Sequence, residues 1–333
     1  MRTYRIVSLS VVILLVTVLF AGVVIVPAAA QYDMMQYRYD AEHTGDYSPV
    51  VGPVLSNGQL KWNCTTGGYV DSSPAVVNGV VYVGSEDHNV YALSATTGAK
   101  LWNYTTGGYV DSSPAVVNGV VYVGSLDNNT YAFNATTGAK LWNYTTGGAV
   151  ESDPAVVNGI VYVGSGDHNV YALDAITGAK LWNYTTGGSV LASPAVVNGI
   201  VYVGSGDHNV YALDAITGAK LWNYTTGGHV WSSPAVANGV VYMGSLDNNT
   251  YALNAYTGAK LWNYTTGGHV WSSPAVVNGV VYVGSNDGNV YAIGNAAAAT
   301  SQSATPCFDF MLAFVGLVFV GLVIAAYAVR RSS

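Results

Sequence analysis

Residues 61–293 repeat one pattern of hydrophobic and polar positions with a period of 40 residues. Each copy contains segments of the types "SPAVV", "VVYVGS", "VYAL" and "KLWNYT", with an Asn-Gly pair after the first. These segments are short and rich in Val, Tyr, Thr and Trp, and none has the apolar spacing of a helix. Asn-Gly accepts positive φ at both positions and predicts a tight hairpin. The pattern therefore predicts four antiparallel strands in each period.

Two markers give the number of repeats. The proline of the first segment recurs at Pro74, Pro114, Pro154, Pro194, Pro234 and Pro274. The tryptophan of the fourth segment recurs at Trp62, Trp102, Trp142, Trp182, Trp222 and Trp262. A four-stranded unit of about 40 residues has the size of a propeller blade. We predict an all-β fold, a six-bladed β-propeller of four-stranded antiparallel blades.

The ends of the array bear on whether the ring closes. It begins at Lys61 with a fourth strand that has no first three before it, and it ends at Ile293 with three strands that lack a fourth. We expect the opening strand "LKWNCT" to complete the last blade, because this pairing would remove both exposed edges. The alternative is an open solenoid, which would more naturally begin and end on whole capping units.

The repeat "SSPAVVNGVVYVGSxDxxVYALxAxTGxxLW" resembles that of the quinoprotein-like, PQQ-type β-propellers. The stretch Ala172 to Trp182, "ALDAITGAKLW", is similar to the tryptophan-docking motif of that family, and "MQYRYDAEHTGDYS" from Met35 is similar to its lead-in segment. The resemblance implies that the six tryptophans above pack on the neighbouring blade. It also implies a fold that can carry PQQ and calcium, usually beside a disulfide between adjacent cysteines. The chain has no adjacent cysteines and no long insertions, so we expect neither cofactor and no catalysis.

The two ends of the chain indicate export and anchoring. Arg2 and Arg5 precede a long apolar run and then small residues, the order of a secretory signal, with an uncleaved anchor as the alternative. Residues 310–329 are uncharged, long enough to cross a bilayer, and followed by Arg330 and Arg331. This tail resembles the PGF-type sorting signal of archaeal surface proteins, with Cys307 in place of its Gly. The predicted parts are a signal peptide (1–30), a lead-in segment (31–59), the propeller (60–293), a small-residue spacer (294–305) and a transmembrane anchor (306–333).

Charge and cysteine content exclude some classes of partner. Residues 31–305 contain 17 acidic and 7 basic residues. This excess of negative charge repels phosphate backbones and argues against nucleic acid as a partner. Cys64 and Cys307 are the only cysteines, which argues against a disulfide framework. We expect the propeller to lie outside the cell, attached to the membrane by its carboxyl end.

Most differences between the copies fall in the loops after the second and fourth strands. In an antiparallel meander these loops share one face, which we call the mouth face. Acidic residues fill the variable positions of the early copies, and His and Trp fill those of the late ones. The candidate ligand-binding residues are Tyr69, Asp71, Tyr109, Asp111, Glu151, Asp153, His229, Trp231, His269 and Trp271. A concave mouth with polar and aromatic groups is a plausible ligand site.

Other recurring residues have simpler interpretations. We interpret the Asp of the "SxDxN" loop, Asp87 in the first copy, as a turn residue and not as a metal ligand. We predict no metal site. The W-N-x-T strand supplies candidate glycosylation sites at Asn63, Asn103, Asn143, Asn183, Asn223 and Asn263. The predicted function is that of a non-catalytic surface propeller that binds a cation, glycan or protein. The alternatives are a PQQ- and calcium-dependent dehydrogenase and an envelope assembly scaffold, since the repeats also resemble the bacterial outer-membrane assembly propeller.

Overall fold

The computed structural model describes residues 58–294 of the 333-residue chain. The predicted signal peptide and transmembrane anchor, and nearly all of the lead-in segment and the spacer, lie outside this range. Within it, no helix has the length and apolar character needed to span a membrane. The secondary structure of the described residues is β-strand, turn and loop without helix, which confirms the all-β prediction.

Twenty-three strands follow one another in the described part of the chain. They are β1 (Ala75–Val77), β2 (Val80–Gly84), β3 (Asn89–Ser94), β4 (Lys100–Thr105), β5 (Ala115–Val117), β6 (Val120–Gly124), β7 (Asn129–Asn134), β8 (Lys140–Thr145), β9 (Ala155–Val157), β10 (Ile160–Gly164), β11 (Asn169–Asp174), β12 (Lys180–Thr185), β13 (Ala195–Val197), β14 (Ile200–Gly204), β15 (Asn209–Asp214), β16 (Lys220–Thr225), β17 (Ala235–Ala237), β18 (Val240–Gly244), β19 (Asn249–Asn254), β20 (Lys260–Thr265), β21 (Ala275–Val277), β22 (Val280–Gly284) and β23 (Val290–Ile293).

Local chemistry sets the ends of these strands. Asn78 and Gly79 have φ angles of 49° and 76°, so both central residues of the β1–β2 hairpin are left-handed, as the Asn-Gly pair predicts. The first strand begins one residue after Pro74, which has no N–H to donate to a ladder. The fourth strand, Lys100–Thr105, has the predicted bounds.

The strands form antiparallel meanders in chain order. Residues 58–294 contain five four-stranded sheets, β1–β4, β5–β8, β9–β12, β13–β16 and β17–β20, and one three-stranded sheet, β21–β23. In each four-stranded sheet the third and fourth strands slip in register, for example between Ala172 and Leu173. The loops after the second and fourth strands therefore lie at one end of each sheet, as the meander predicts.

The core lies between neighbouring sheets. One cluster combines Tyr162 and Trp182 of the third sheet with Val201, Tyr211 and Leu213 of the fourth. Trp182 donates from Nε1 to Ala215 O at 2.9 Å, and the Tyr162 hydroxyl donates to the same oxygen at 3.0 Å. Each of the first four sheets contributes a Tyr and a Trp in this way to the face of the next sheet, and burial of these rings joins the sheets.

The predicted closure of the ring is wrong for the described residues. Leu60–Thr65 forms no strand, and β23 pairs only with β22. Trp62 is seated on the first sheet, with its Nε1 2.9 Å from Ala95 O, but no tyrosine from the last sheet reaches that oxygen. Tyr282 is instead 42% exposed, whereas its counterpart Tyr202 is 1% exposed. A 40-residue period specifies each unit, but not the rotation between units on which closure depends.

Candidate functional site

The mouth face is built on the innermost strands. The first strands of successive sheets, β1, β5, β9, β13, β17 and β21, contact one another in order. The loop that precedes each of these strands carries the most variable position of the repeat. These positions therefore follow one another along the inner rim in the order Asp71, Asp111, Glu151, Leu191, Trp231 and Trp271.

The repeated aspartate fixes the loops of this face. Asp87 accepts from Asn89 N at 3.0 Å, from Gly67 N at 2.7 Å and from the Tyr91 hydroxyl at 2.6 Å. Burial alone would raise the pKa of Asp87, but these hydrogen bonds lower it to about 2. The prediction that this Asp is a turn residue bonded to its own backbone is confirmed. It also ties together the two loops that form the mouth face.

Carboxylates lie close together at the start of the rim. Burial and the charges of Asp71 and Glu151 raise the pKa of Asp111. Burial and the charges of Asp71 and Asp111 likewise raise the pKa of Glu86. Asp111 Oδ1 is buried and has no hydrogen-bond partner among the described residues. The acidic side chains of three successive loops thus repel one another, as unpaired like charges do.

Aromatic rings lie close together at the other end of the rim. His229 stacks on Trp231 with ring centroids 4.8 Å apart and an interplanar angle of 7°, and its Nδ1 contacts Gly206 O. Trp231 contacts Trp271 at 4.7 Å, and His208 meets His229 edge-on at 4.8 Å. Trp231 Nε1 is buried without a partner among the described residues, and Trp271 is 47% exposed. The cluster offers solvent the half-exposed indole of Trp271, which contacts the ring of Trp231.

One candidate lies away from the open mouth. Asp153 is buried, accepts from Ser113 N and accepts at 2.9 Å from the Ser193 hydroxyl. Its own N–H donates to Ser193 Oγ at 3.0 Å. In the sister copies a serine holds this position, as in the 3.0 Å bond from Ser73 N to Ser113 Oγ. Asp153 therefore joins adjacent repeats through its buried side chain.

The remaining candidates differ in exposure and contacts. Tyr69 and His269 are exposed, and Tyr109 packs on His88 with ring centroids 5.2 Å apart. The W-N-x-T asparagines are all exposed; Asn63 lies outside any strand, and the other five lie on the fourth strands, where Asn103 Nδ2 donates to Asn89 Oδ1 at 2.9 Å. The same bond forms at Asn143, Asn183, Asn223 and Asn263.

Two residues outside the predicted set belong to these clusters. Glu86 joins the carboxylates and His208 joins the aromatic rings. Both lie in the "SxDxN" loop. A backbone hydrogen bond joins this loop to the variable loop, as from Glu86 N to Tyr69 O at 2.9 Å. The sequence could have predicted both residues, because a meander brings the "SxDxN" loop and the variable loop to the same face.

The model of the family described as "Beta-alanine-activating enzyme, beta-propeller" matches residues 94–311, well over half of the chain. The chain belongs to this β-propeller family. No curated protein matches the chain. The family assignment agrees with the repeated antiparallel sheets, which we call blades from here on.

Solved structures show the same propeller fold at low sequence identity. The computationally designed Ika8 protein is 20% identical, with a TM-score of 0.62 over 67% of this chain and 70% of that one. The quinohemoprotein alcohol dehydrogenase ADHIIG from Pseudomonas putida HK5 is 22% identical, with a TM-score of 0.61 over 71% of this chain and 48% of that one. A europium-containing methanol dehydrogenase is 18% identical, with a TM-score of 0.60 over 71% and 58%. The chain thus spans about half the length of these two dehydrogenases.

The PQQ and calcium chemistry that the resemblance implies can be compared with the side chains of this propeller. In residues 58–294 no three His, Cys, Asp or Glu side chains form a group that could hold a metal ion. The repeated aspartates already accept hydrogen bonds within their loops, as at Asp87. We assign none of the described residues to calcium or to the quinone, and we derive no catalytic step from them.

Proposed function

We propose that the chain is a non-catalytic binding propeller of the cell surface, whose mouth binds a neutral or positively charged glycan. The observation that carries the proposal is the aromatic cluster of His229, Trp231 and Trp271, stacked and half exposed on the inner rim. An exposed indole offers an apolar plate to the C–H face of a sugar ring. Its contact with Trp231 reduces its freedom before the ligand arrives, which lowers the entropy cost of binding.

The carboxylates supply a preference within this class of ligand. Asp71, Glu86, Asp111 and Glu151 give the opening part of the rim a negative field, which attracts cations and repels anions. A glycan that carries an amino group could place its ring on the indoles and its positive charge near the carboxylates. A sulfated or uronic-acid glycan would be repelled. Because no metal-holding group occurs in the described residues, we favour a glycan over a bare cation.

The placement at the cell surface is part of the proposal. It rests on the apolar terminal segments of the sequence and on the basic pair Arg330 and Arg331. Labelling of intact cells with a membrane-impermeant amine reagent would modify the repeat lysines if the propeller is outside. Modification only after lysis would contradict the proposed location.

A glycan array followed by titration calorimetry tests the binding function. We expect binding of amino-sugar glycans, weakened about 2- to 10-fold by Trp271→Ala, since stacking on one ring contributes about 0.5–1.5 kcal/mol. Tyr256→Ala is the matched control, because Tyr256 is an exposed aromatic residue on the opposite turns. Failure of every glycan to bind, or equal loss in both variants, would overturn the proposal. Dye reduction after addition of PQQ and calcium would favour the dehydrogenase instead.

A further inference from the structure

The last blade presents an apolar face that has no cover among the described residues. Val277, Tyr282 and Val290 are 38%, 42% and 80% exposed. The counterparts of the last two, Tyr202 and Val210, are 1% and 0% exposed, because the next blade packs on them. Strand β23 also has a partner on only one side. We call this surface of β21–β23 the end face.

The first blade carries the surface that would complement the end face, because the segment around Trp62 lies on it. Trp62 donates to Ala95 O at 2.9 Å, and its ring lies 2.6 Å from where a Cβ on Gly98 would be. Trp102 has the same relationship to Ala135 and Gly138 of the second blade. The segment Leu60–Thr65 thus lies against the first blade as the fourth strand of a preceding blade would, yet none of its residues is paired in a sheet.

We infer that the end face of one copy binds the first blade of a second copy. Strand β23 would pair with Leu60–Thr65 of that copy and gain the fourth strand that β21–β23 lacks. The chemistry of the contact is already present inside the chain, where the same face of each earlier blade covers its successor. The occupant is a second copy because the two halves do not meet within one chain in the structure. Such a contact is head-to-tail and joins unpaired strand edges.

The repeat also gives the register of this pairing. Val90 of β3 pairs with Tyr104 of β4, and Thr130, Val170, Val210 and Thr250 pair with the equivalent tyrosines. By the same register Val290 of one copy lies opposite Cys64 of the other. Opposed residues of antiparallel strands have Cα atoms about 4.5–5.5 Å apart, within the range that a disulfide spans.

A disulfide between these positions tests the inference. Full-length Val290→Cys, with Cys307→Ser to remove the other thiol, is oxidised in detergent and run on a non-reducing gel. We expect covalent dimers and longer head-to-tail species that disappear on reduction and are absent when Cys64→Ser is added. A bond formed only within one chain, seen as a monomer in which Cys64 is linked to the thiol introduced at position 290, would overturn the inference. So would the absence of any bond.

A second measurement does not depend on cysteine chemistry. Light scattering after size-exclusion chromatography should show a concentration-dependent rise in mass, lost in Tyr282→Arg because a charge cannot be buried at the contact. Tyr256→Arg is the control, since that ring is exposed on the turn between β19 and β20 and not on the end face. Unchanged circular dichroism would show that both variants fold. Equal association of both variants would contradict the inference, whatever the outcome of the glycan measurements.

Discussion

The indole of Trp142 packs on the α-carbon of Gly178 in the next blade. Its Nε1 donates a hydrogen bond of 3.0 Å to Ala175 O, and a Cβ on Gly178 would lie 2.7 Å from the ring. Gly178 also has a φ of 72°. Glycine is therefore required at this turn position for two reasons. Its backbone is left-handed, and the tryptophan ring leaves no room for a Cβ.

The effect of the tryptophan can be separated from that of the backbone. Gly159 has a similar φ of 77°, but a Cβ there would meet nothing within 4 Å. Gly159→Ala should cost about 1–2 kcal/mol in the free energy of unfolding through the left-handed backbone alone. Gly178→Ala should cost about 1–3 kcal/mol more, because the indole must shift. Urea unfolding measures both, and equal costs would contradict this role of the tryptophan.

Asp153 provides a test of the contact between repeats. Asp153→Ser restores the residue of the sister copies and keeps an acceptor for Ser113 N, so we expect little change in the free energy of unfolding. Asp153→Ala leaves a buried N–H without that acceptor and should cost about 1–3 kcal/mol. Glycan binding should change in neither variant. A selective loss of binding in Asp153→Ser would return Asp153 to the ligand site.

The sequence predicts the units of this fold better than their assembly. The Asn-Gly pair and the β-branched segments are local signals, and the strands form where those signals lie. Closure depended on pairing between the opening strand around Trp62 and the last blade, more than 200 residues away, and the repeat pattern does not specify the angle between blades that would bring them together. Asp153 lies in a loop, as predicted, but the one-dimensional pattern does not show that its side chain bonds to the serines of the adjacent repeats.

Acid should unfold the propeller through its repeated aspartates. Hydrogen bonds outweigh burial and lower the pKa of Asp87 to about 2, and they also lower the pKa of Asp127, Asp167, Asp207, Asp247 and Asp287. In the unfolded chain these carboxyls have their ordinary pKa of about 4. Below that pH the unfolded state therefore binds more protons than the folded state, and the free energy of unfolding should fall between pH 4 and pH 2. We expect Asp167→Asn to give a shallower slope and Tyr171→Phe an intermediate one. Three parallel curves would contradict this origin.

Asp111 should act in the opposite direction. Its pKa is raised, so its charged form opposes folding, and the penalty is relieved as pH falls through the folded pKa. Asp111→Asn should therefore raise the free energy of unfolding at pH 7 by a few tenths to about 1 kcal/mol. The gain should shrink as the wild-type carboxyl becomes protonated. Equal curves at pH 7 would contradict the repulsion among Asp71, Asp111 and Glu151.

The central claim is that the variable loop tips of the mouth face form the binding surface. The most direct measurement is a structure of the protein with a glycan selected on the array. We predict density for a sugar ring against Trp231 and Trp271, with any amino group toward the carboxylates of Asp71, Asp111 and Glu151. Density on the opposite turns, beside Ile176 or Ile216, would contradict the claim.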